Sequence, residues 1–476
     1  MNGAERLRLF RDLLEEAHRA LDLQFGFELW DGSTIPADLA SYAMRLVIRH
    51  ENVIASLLRR PNLDTVLNAY VSGLLDLRNG TLFDLAAQRP QKAGRRLRKV
   101  SKVKALRAAY HFLRAPADMP RPLDKVEENP QARDGRPQTN KRNVAYHYDV
   151  SNDFYRLFLD PKMVYTCAYF QPDWHDDLAR AQADKLDMIC RKLRLKPGDR
   201  FLDIGCGWGA LICHAAQHYG VKATGVTLAE EQAKLARDKI ARLGLQDRAE
   251  VLLKDFTQIE GEFDKISSIG MFEQVGIRNY PTYFRSVHRL LRPRGLYLHH
   301  TIARRAKRSE RAFRKLKPES KALTRYIFPG GELDHLGMSI ANLERFGFEV
   351  HDVEGWREHY QRTTRLWWEN LSARRKEAEA MVGKEKTRMW LLYLAGCSLA
   401  FERAAVGVNQ TLVSKRTRGP SGLPPSRAVC MAKPKMSAVF TTDTSQIRPL
   451  ARVGLQAAAR LPGYAARTPA RKLSTS

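Results

Sequence analysis

The glycine-rich turn Gly205-Cys206-Gly207-Trp208-Gly209 directly follows the apolar run Arg200-Phe201-Leu202-Asp203-Ile204. Glycines at such a place permit a tight turn and let the backbone come close to a ligand, so a nucleotide-like cofactor is expected there. The spacing of Gly205, Gly207 and Ala210 also satisfies the dinucleotide pattern, and the glycines alone do not separate a hydride carrier from another adenosine cofactor. Asp203 adds information, because a carboxylate at the strand end can orient a cationic amino-acid group, whereas a pyrophosphate gains nothing from it. Glu273 follows Met271-Phe272 just past an apolar run, where an unpaired carboxylate is costly and a functional partner is expected. Cys167 sits among apolar and aromatic neighbours, as an inert core thiol also would. His300 and Tyr360 are unremarkable in isolation. The six cysteines show no paired metal-ligand spacing, which points to reduced thiols and to neither zinc nor disulfides.

The elements that must hold these residues alternate. Arg200 to Ile204 reads as a strand, Ala210 to Tyr219 as a helix and Lys222 to Val226 as a strand, predicting a doubly wound α/β sheet. Leu252-Leu253-Lys254-Asp255-Phe256, Phe263 to Ile269 and Leu290 to Leu298 continue the series. In this order the set resembles the class I methyltransferase fold, whose cofactor is S-adenosylmethionine, more than a dehydrogenase. One departure is visible: the second strand ends in Val226-Thr227-Leu228 and lacks the acid that commonly grips the ribose hydroxyls.

The flanks narrow the resemblance. Tyr146-His147-Tyr148-Asp149-Val150-Ser151-Asn152-Asp153-Phe154-Tyr155 and Tyr165-Thr166-Cys167-Ala168-Tyr169-Phe170 precede the glycine turn, and Gly225-Val226-Thr227-Leu228-Ala229-Glu230-Glu231-Gln232 follows it. Gly270-Met271-Phe272-Glu273-Gln274, His299-His300-Thr301-Ile302, Tyr326-Ile327-Phe328-Pro329-Gly330 and His359-Tyr360 complete the pattern. Together they resemble the cyclopropane-fatty-acyl-phospholipid synthase family over about residues 143 to 418. The resemblance implies cofactor contacts from Tyr165, Thr166, Asp203, Gly205, Gly207, Thr227, Gln232, Asp255 and Phe256. It also implies a bound bicarbonate as general base, held by backbone groups of Cys167 and Ile302 and by the side chains of Glu273, His300 and Tyr360. Thr166 stands where the family has Ser, which keeps the hydroxyl; Gln274 stands where it has His, which removes a titratable neighbour.

The implied chemistry starts from the electrophile. A sulfonium methyl can be attacked by the π electrons of a cis alkene when water is excluded and alignment is good, and proton loss from the new methyl then closes a ring. The expected reaction is transfer of a methylene unit to an unsaturated acyl chain of a membrane phospholipid. A methyl- or methylene-branched product without ring closure, or a sphingolipid or amine substrate, is the alternative. Phe154, Tyr155, Tyr169, Phe170, Phe272, Trp367 and Trp368 suit an acyl pocket and cation stabilisation, and core packing would use them equally.

At 476 residues the chain can hold two or three domains. Expected are an N-terminal accessory domain over 1–114, lipid-associated in one reading, a linker over 115–142, the methyltransferase domain over 143–418 and a disordered basic tail over 419–476. The formal charge of +28 calls for an anionic partner, lipid or nucleic acid. Base-reading modules are not recognisable, so no nucleic acid is expected. Residues 92–107 read as a basic helix with an apolar stripe of Leu97, Val100, Val103 and Leu106, suited to an anionic membrane surface or equally to a packed helix with a solvated face. A second basic run, Arg304 to Lys317, suits phospholipid headgroups or equally a solvated face. The N-terminus lacks a secretory signal, and Met389 to Phe401 reads as a buried core helix, so a cytoplasmic protein at the inner face of the membrane is expected, with a homodimer left open.

Overall fold

The computed structural model describes residues 3–38, 44–88, 96–122, 151–327 and 331–426. The start of the Tyr146 to Tyr155 motif, Phe328-Pro329-Gly330, most of the 115–142 segment, the opening of the basic segment at 92 and the tail from 427 lie outside the described residues. All described residues belong to one compact unit.

The N-terminal portion comprises α1 (Gly3–Leu21), β1 (Gly26–Glu28), β2 (Thr34–Ile35), β3 (Arg45–Ile48), α2 (Asn52–Arg59), α3 (Leu63–Val71), β4 (Leu75–Arg78), α4 (Leu82–Ala87) and α5 (Lys102–Leu113). Its four-stranded sheet has the order β2-β1-β3-β4 and shares a core of Phe10, Phe25, Phe27, Ile35 and Phe112 with the helices. Ala115 and Met119 are buried in the same core. The apolar spacing predicts a helix over 92–107, but α5 begins only at Lys102, where the Ser101 side chain accepts from the Lys104 N–H. That hydroxyl supplies a start signal the upstream apolar residues lack; Leu97–Lys99 is a single 3₁₀ turn. Ala108 and Phe112 carry the buried face of α5. Its outer face is also apolar: Val103, Leu106, Tyr110 and Leu113 are 77, 72, 52 and 46% exposed.

The second portion runs α6 (Asn152–Arg156), α7 (Leu178–Lys192), β5 (Arg200–Ile204), α8 (Ala210–Tyr219), β6 (Lys222–Thr227), α9 (Glu230–Arg242), β7 (Ala249–Leu253), β8 (Phe263–Ile269), α10 (Tyr280–Leu290) and β9 (Leu291–Arg304). It continues with α11 (Glu310–Arg314), α12 (Pro318–Tyr326), α13 (Leu336–Arg345), β10 (Phe348–Gly355), α14 (Arg357–Ala373), α15 (Arg375–Val382), α16 (Lys384–Glu402) and β11 (Val406–Lys415). Its seven strands take the order β10-β11-β9-β8-β5-β6-β7. β11 is antiparallel to both neighbours and the remaining pairs are parallel. This is the doubly wound class I methyltransferase fold that the sequence implies.

Strand alternation sorts the core. Leu296 and Leu298 of β9 pack with α7, α8 and α9 on one face, while Tyr297 packs with α10 and α13 on the other. The chain leaves β5 toward β6 and returns to β5's other side with β8, so the order reverses between β5 and β8. A crevice opens at the carboxyl ends of strands at such a reversal. Residues Met389 to Phe401 lie within α16, where Trp390 and Leu394 are buried, and no helix among the described residues is long and apolar enough to cross a membrane. Arg388 of α16 anchors the N-terminal portion: it donates to the Tyr70 and Leu75 carbonyls at 2.7 and 3.0 Å and pairs with Asp76 at 3.1 Å.

Candidate active site

A cleft of about 1150 Å³, part of it open to solvent, occupies the crevice between β5 and β8. Tyr165, Thr166, Asp203, Gly205, Gly207, Thr227, Gln232, Asp255 and Phe256 all line it, so the structure gathers every residue assigned to the cofactor from four separate segments. Gly205 and Gly207 adopt φ of +82° and +52°, which glycine alone adopts without strain. A Cβ built at Gly205 would lie 2.6 Å from the Met271 Cβ, whereas one at Gly207 meets no protein atom within 4 Å. Gly207 therefore faces the open cleft. Thr227 donates to Gln232 Oε1 at 2.8 Å, and this local bond occupies the place where the fold usually carries an acid. Asp255 accepts from the Thr257 N–H at 2.9 Å and the Thr257 hydroxyl at 2.6 Å.

Asp203 is 3% exposed. Register places it directly opposite Ser267 of β8, whose hydroxyl donates to Asp203 Oδ1 at 2.6 Å. Burial pushes its carboxyl up to about 6, against the Ser267 hydrogen bond and the Lys185 charge.

The residues assigned to the base do not line this cleft; they form a cluster immediately behind it. Cys167, adjacent to Thr166, packs in one apolar group with Trp356, Phe401, Ile302 and Tyr360. Its Sγ lies 3.8 Å from the Trp356 carbonyl, and burial pushes the thiol well above its ordinary range, so it stays protonated. Glu273, in the turn after β8, accepts at Oε1 from the Ile302 N–H at 2.6 Å and the Thr301 hydroxyl at 3.3 Å. Of the Ile302 backbone groups, the amide N–H is thus already bonded to Glu273. Glu273 Oε2 is sealed from solvent with no partner among the described residues. Burial pushes this carboxyl up to about 7.

His300 is fixed by a network the sequence reading does not contain. Lys192, at the end of α7 and paired with Glu354, donates to Gln410 Oε1 at 2.7 Å. An ammonium can only donate, so the Gln410 amide nitrogen must face His300 Nδ1, 3.1 Å away and directly across the β9–β11 ladder. Nδ1 then accepts and Nε2 carries the proton. That Nε2 is buried without a partner among the described residues, and burial holds the ring neutral well below the usual imidazole range.

Residues 136–411 match the family described as mycolic acid cyclopropane synthetase. A probable fatty acid methyltransferase of Pseudomonas putida is 36% identical over 405 residues, covering 84% of this chain and 94% of that protein. The chain belongs to the mycolic acid cyclopropane synthetase family. It is an S-adenosylmethionine-dependent methyltransferase of this family. The cyclopropane-fatty-acyl-phospholipid synthase of Escherichia coli (strain K12) is 38% identical over 269 residues, 56% of this chain and just under two thirds, 66%, of that one. Among solved structures, the mycolic acid cyclopropane synthase CmaA1 complexed with SAH and CTAB superposes with a TM-score of 0.54 at 37% identity, covering 58% of this chain and 98% of that one.

Lys185, Lys192 and Gln410 are the site residues that sequence reasoning missed. For Lys185 a signal existed: it occupies a stripe of α7 otherwise made of Ala181, Gln182, Met188 and Ile189, all buried. The aromatic residues divide. Phe154 and Tyr155 are wholly buried against Phe158 and Trp390 as core, and Phe272 packs on Tyr280 and Tyr283 on the far side of the sheet. Tyr360, stacked on Phe401 with ring centroids 4.6 Å apart, reaches the Cys167 cluster.

Two outcomes follow from this geometry. Gly207→Ala places a methyl in the cleft at a backbone cost of about 1 kcal/mol. S-adenosylhomocysteine affinity measured by calorimetry should fall by at least about tenfold, while Gly205→Ala, clashing with Met271, should chiefly lower the melting temperature. Glu273 holds a proton in the native state that the unfolded chain releases between the ordinary 4.5 and about 7, so its burial costs stability as pH rises through that window. The melting-temperature advantage of Glu273→Gln over the parent should therefore grow between about pH 5 and about pH 8, by at most about 3 kcal/mol of stability; a pH-independent difference would contradict the burial argument.

Proposed function

We propose that this chain transfers a methylene unit from S-adenosylmethionine to the cis double bond of an unsaturated fatty acyl chain in a membrane phospholipid, forming a cyclopropane. The observation that carries the reading is the joining of two sites. The cofactor-facing cleft and the sealed polar cluster share neighbours along the chain, Thr166 with Cys167 and Gln274 with Glu273.

The buried, unpartnered Glu273 Oε2 and His300 Nε2 offer one acceptor and one donor, and this pairing fits a small oxyacid that both donates and accepts. Bound bicarbonate would supply the general base. Glu273, in this reading, orients it and remains charge-adjustable near neutral pH. Neutral His300 donates from Nε2 because Lys192 and Gln410 fix its tautomer. Cys167 stays a thiol and contributes backbone and shape. Tyr360, with Trp367 at 6.0 Å between ring centroids, presents aromatic faces that favour positive charge developing on the acyl chain. The apolar enclosure keeps water from capturing that charge.

For the membrane, the outward stripe of α5 supports peripheral docking on anionic lipid at the inner, cytoplasmic face. Val103, Leu106, Tyr110 and Leu113 are exposed beside Lys102, Lys104 and Arg107 on one short helix. In the run 304–317, Arg304 lies over Phe313 at 4.0 Å and supports local structure, while the following Arg305, Lys307 and Arg308 are exposed to lipid headgroups in the same reading.

A second reading is methyl transfer without ring closure. It is favoured by Gln274, which lines the cleft where the family carries His, and by the name of the Pseudomonas putida relative. One experiment addresses both. Incubated with S-adenosylmethionine and vesicles of unsaturated anionic phospholipid, the protein should give acyl chains heavier by one CH₂ per double bond, with cyclopropane and no alkene protons in the NMR spectrum. Retained alkene protons support the branched product, and no conversion contradicts both. The paired change Val103→Asp with Leu106→Asp should lower the vesicle rate about tenfold or more while leaving S-adenosylhomocysteine affinity intact; an unchanged rate would rule out docking through α5.

A further inference from the structure

We infer that Lys185 is the seat for the carboxylate at the amino-acid end of the cofactor, opposite Asp203, which faces the cofactor's ammonium. The inference rests on the reading of the cleft as the S-adenosylmethionine site and assigns a residue that neither the motifs nor the comparisons single out.

Lys185 is a charged side chain 2% exposed, and it lines the same cleft as Asp203, Thr166 and Gly205. Its Nζ donates to Thr166 Oγ1 at 2.9 Å, the one hydrogen bond it makes among the described residues. An ammonium has three donors. No carboxylate of the described residues reaches salt-bridge distance of it. The Asp160 oxygens are taken by the Lys162 and Val164 N–H groups at 2.9 and 2.8 Å, and Asp203 Oδ1 by Ser267 at 2.6 Å. A buried ammonium without an ionic partner is expensive to keep, and an enclosed cation facing a ligand cleft is explained by an anion that arrives with the ligand.

Cofactor and protein charges then match. The amino-acid end of S-adenosylmethionine is a zwitterion, and the buried end of the cleft carries one carboxylate and one ammonium. The other lysine lining the cleft, Lys254, is exposed and sits next to Asp255, at the mouth. Strand alternation explains the placement: Asp203 shares the face of β5 with Phe201, which packs against α7 residues Leu186 and Ile189. Burial depresses the Lys185 ammonium to about 8, which leaves it largely protonated at neutral pH. Thr166 gains a reason as well, since its hydroxyl aims the ammonium and Ser would do the same.

The test is a thermodynamic cycle on the full chain, using calorimetry with S-adenosylhomocysteine and with its decarboxylated analogue. In the parent protein, removing the carboxylate from the ligand should weaken binding by about ten- to a hundredfold. In Lys185→Met the affinity for S-adenosylhomocysteine should fall by a similar factor while the decarboxylated analogue is nearly unaffected. Lys185→Arg should recover part of the loss, which a purely space-filling role would not produce. Equal weakening of both ligands, or no weakening of either, overturns the assignment. If Lys185→Met does not fold, the parent's ligand comparison still decides: equal affinity for both ligands overturns it. Failure of S-adenosylhomocysteine to bind the parent at all would instead overturn the cofactor reading beneath it.

Discussion

The reversal of strand order between β5 and β8 is the constraint from which the rest of the site follows. Because β6 and β7 extend from one side of β5 and β8 and β9 from the other, the helices after β5 and β8 pack on opposite faces. Nothing then covers the strand ends between them. The glycine turn after β5 and the Glu273 turn after β8 form the two rims of that opening. Register does the remaining positioning: Asp203 opposite Ser267 and His300 opposite Gln410 are cross-strand pairs, so their hydrogen bonds are set by the sheet itself. A one-residue slip in either ladder would turn these side chains to the opposite face.

Around the opening the protein keeps charge and polarity out of water. Asp203, Lys185, Glu273 and His300 are each pushed toward their neutral forms by burial. Such groups are costly to the fold, and in the proposed reaction their assembly within one region would provide a dry centre for a cationic transition state. Glu273 illustrates the compromise. One oxygen ties the turn after β8 to β9 through the Ile302 amide, and the other is left without a protein partner. The same carboxylate therefore serves architecture at one atom and is available for chemistry at the other.

The glycine turn of the cleft was legible in the sequence because it is local, whereas Tyr165, Thr166, Thr227, Gln232, Asp255 and Phe256, from other segments, came only with the family resemblance. A strand, a glycine turn and a helix are contiguous, so β5 and α8 match the expected Arg200 to Ile204 and Ala210 to Tyr219. The polar support of the cluster was not legible, since Lys192 and Gln410 are far apart in sequence and meet His300 only through the β9–β11 ladder and the end of α7. Lys185 is harder still, because a lysine on a helix ordinarily means a solvated face, and this one is buried by the packing of α7 against β5. The basic stretch differs for a local reason: apolar spacing pointed to one helix over 92–107, of which 92–95 lie outside the described residues, while the Ser101 cap starts a separate helix at Lys102. The N–H of Ile302 shows a different limit, as a motif can name a residue without revealing that Glu273 has already bonded to it.

In the proposed reaction the sealed carboxylate acts on the reacting groups and not on cofactor binding. Single-turnover conversion of unsaturated phospholipid by Glu273→Gln, measured beside its affinity for S-adenosylmethionine, tests it most directly. The account predicts unchanged affinity with a turnover lower by on the order of a hundredfold or more. Near-parental turnover at normal affinity would contradict it and move the chemistry to His300 and Tyr360.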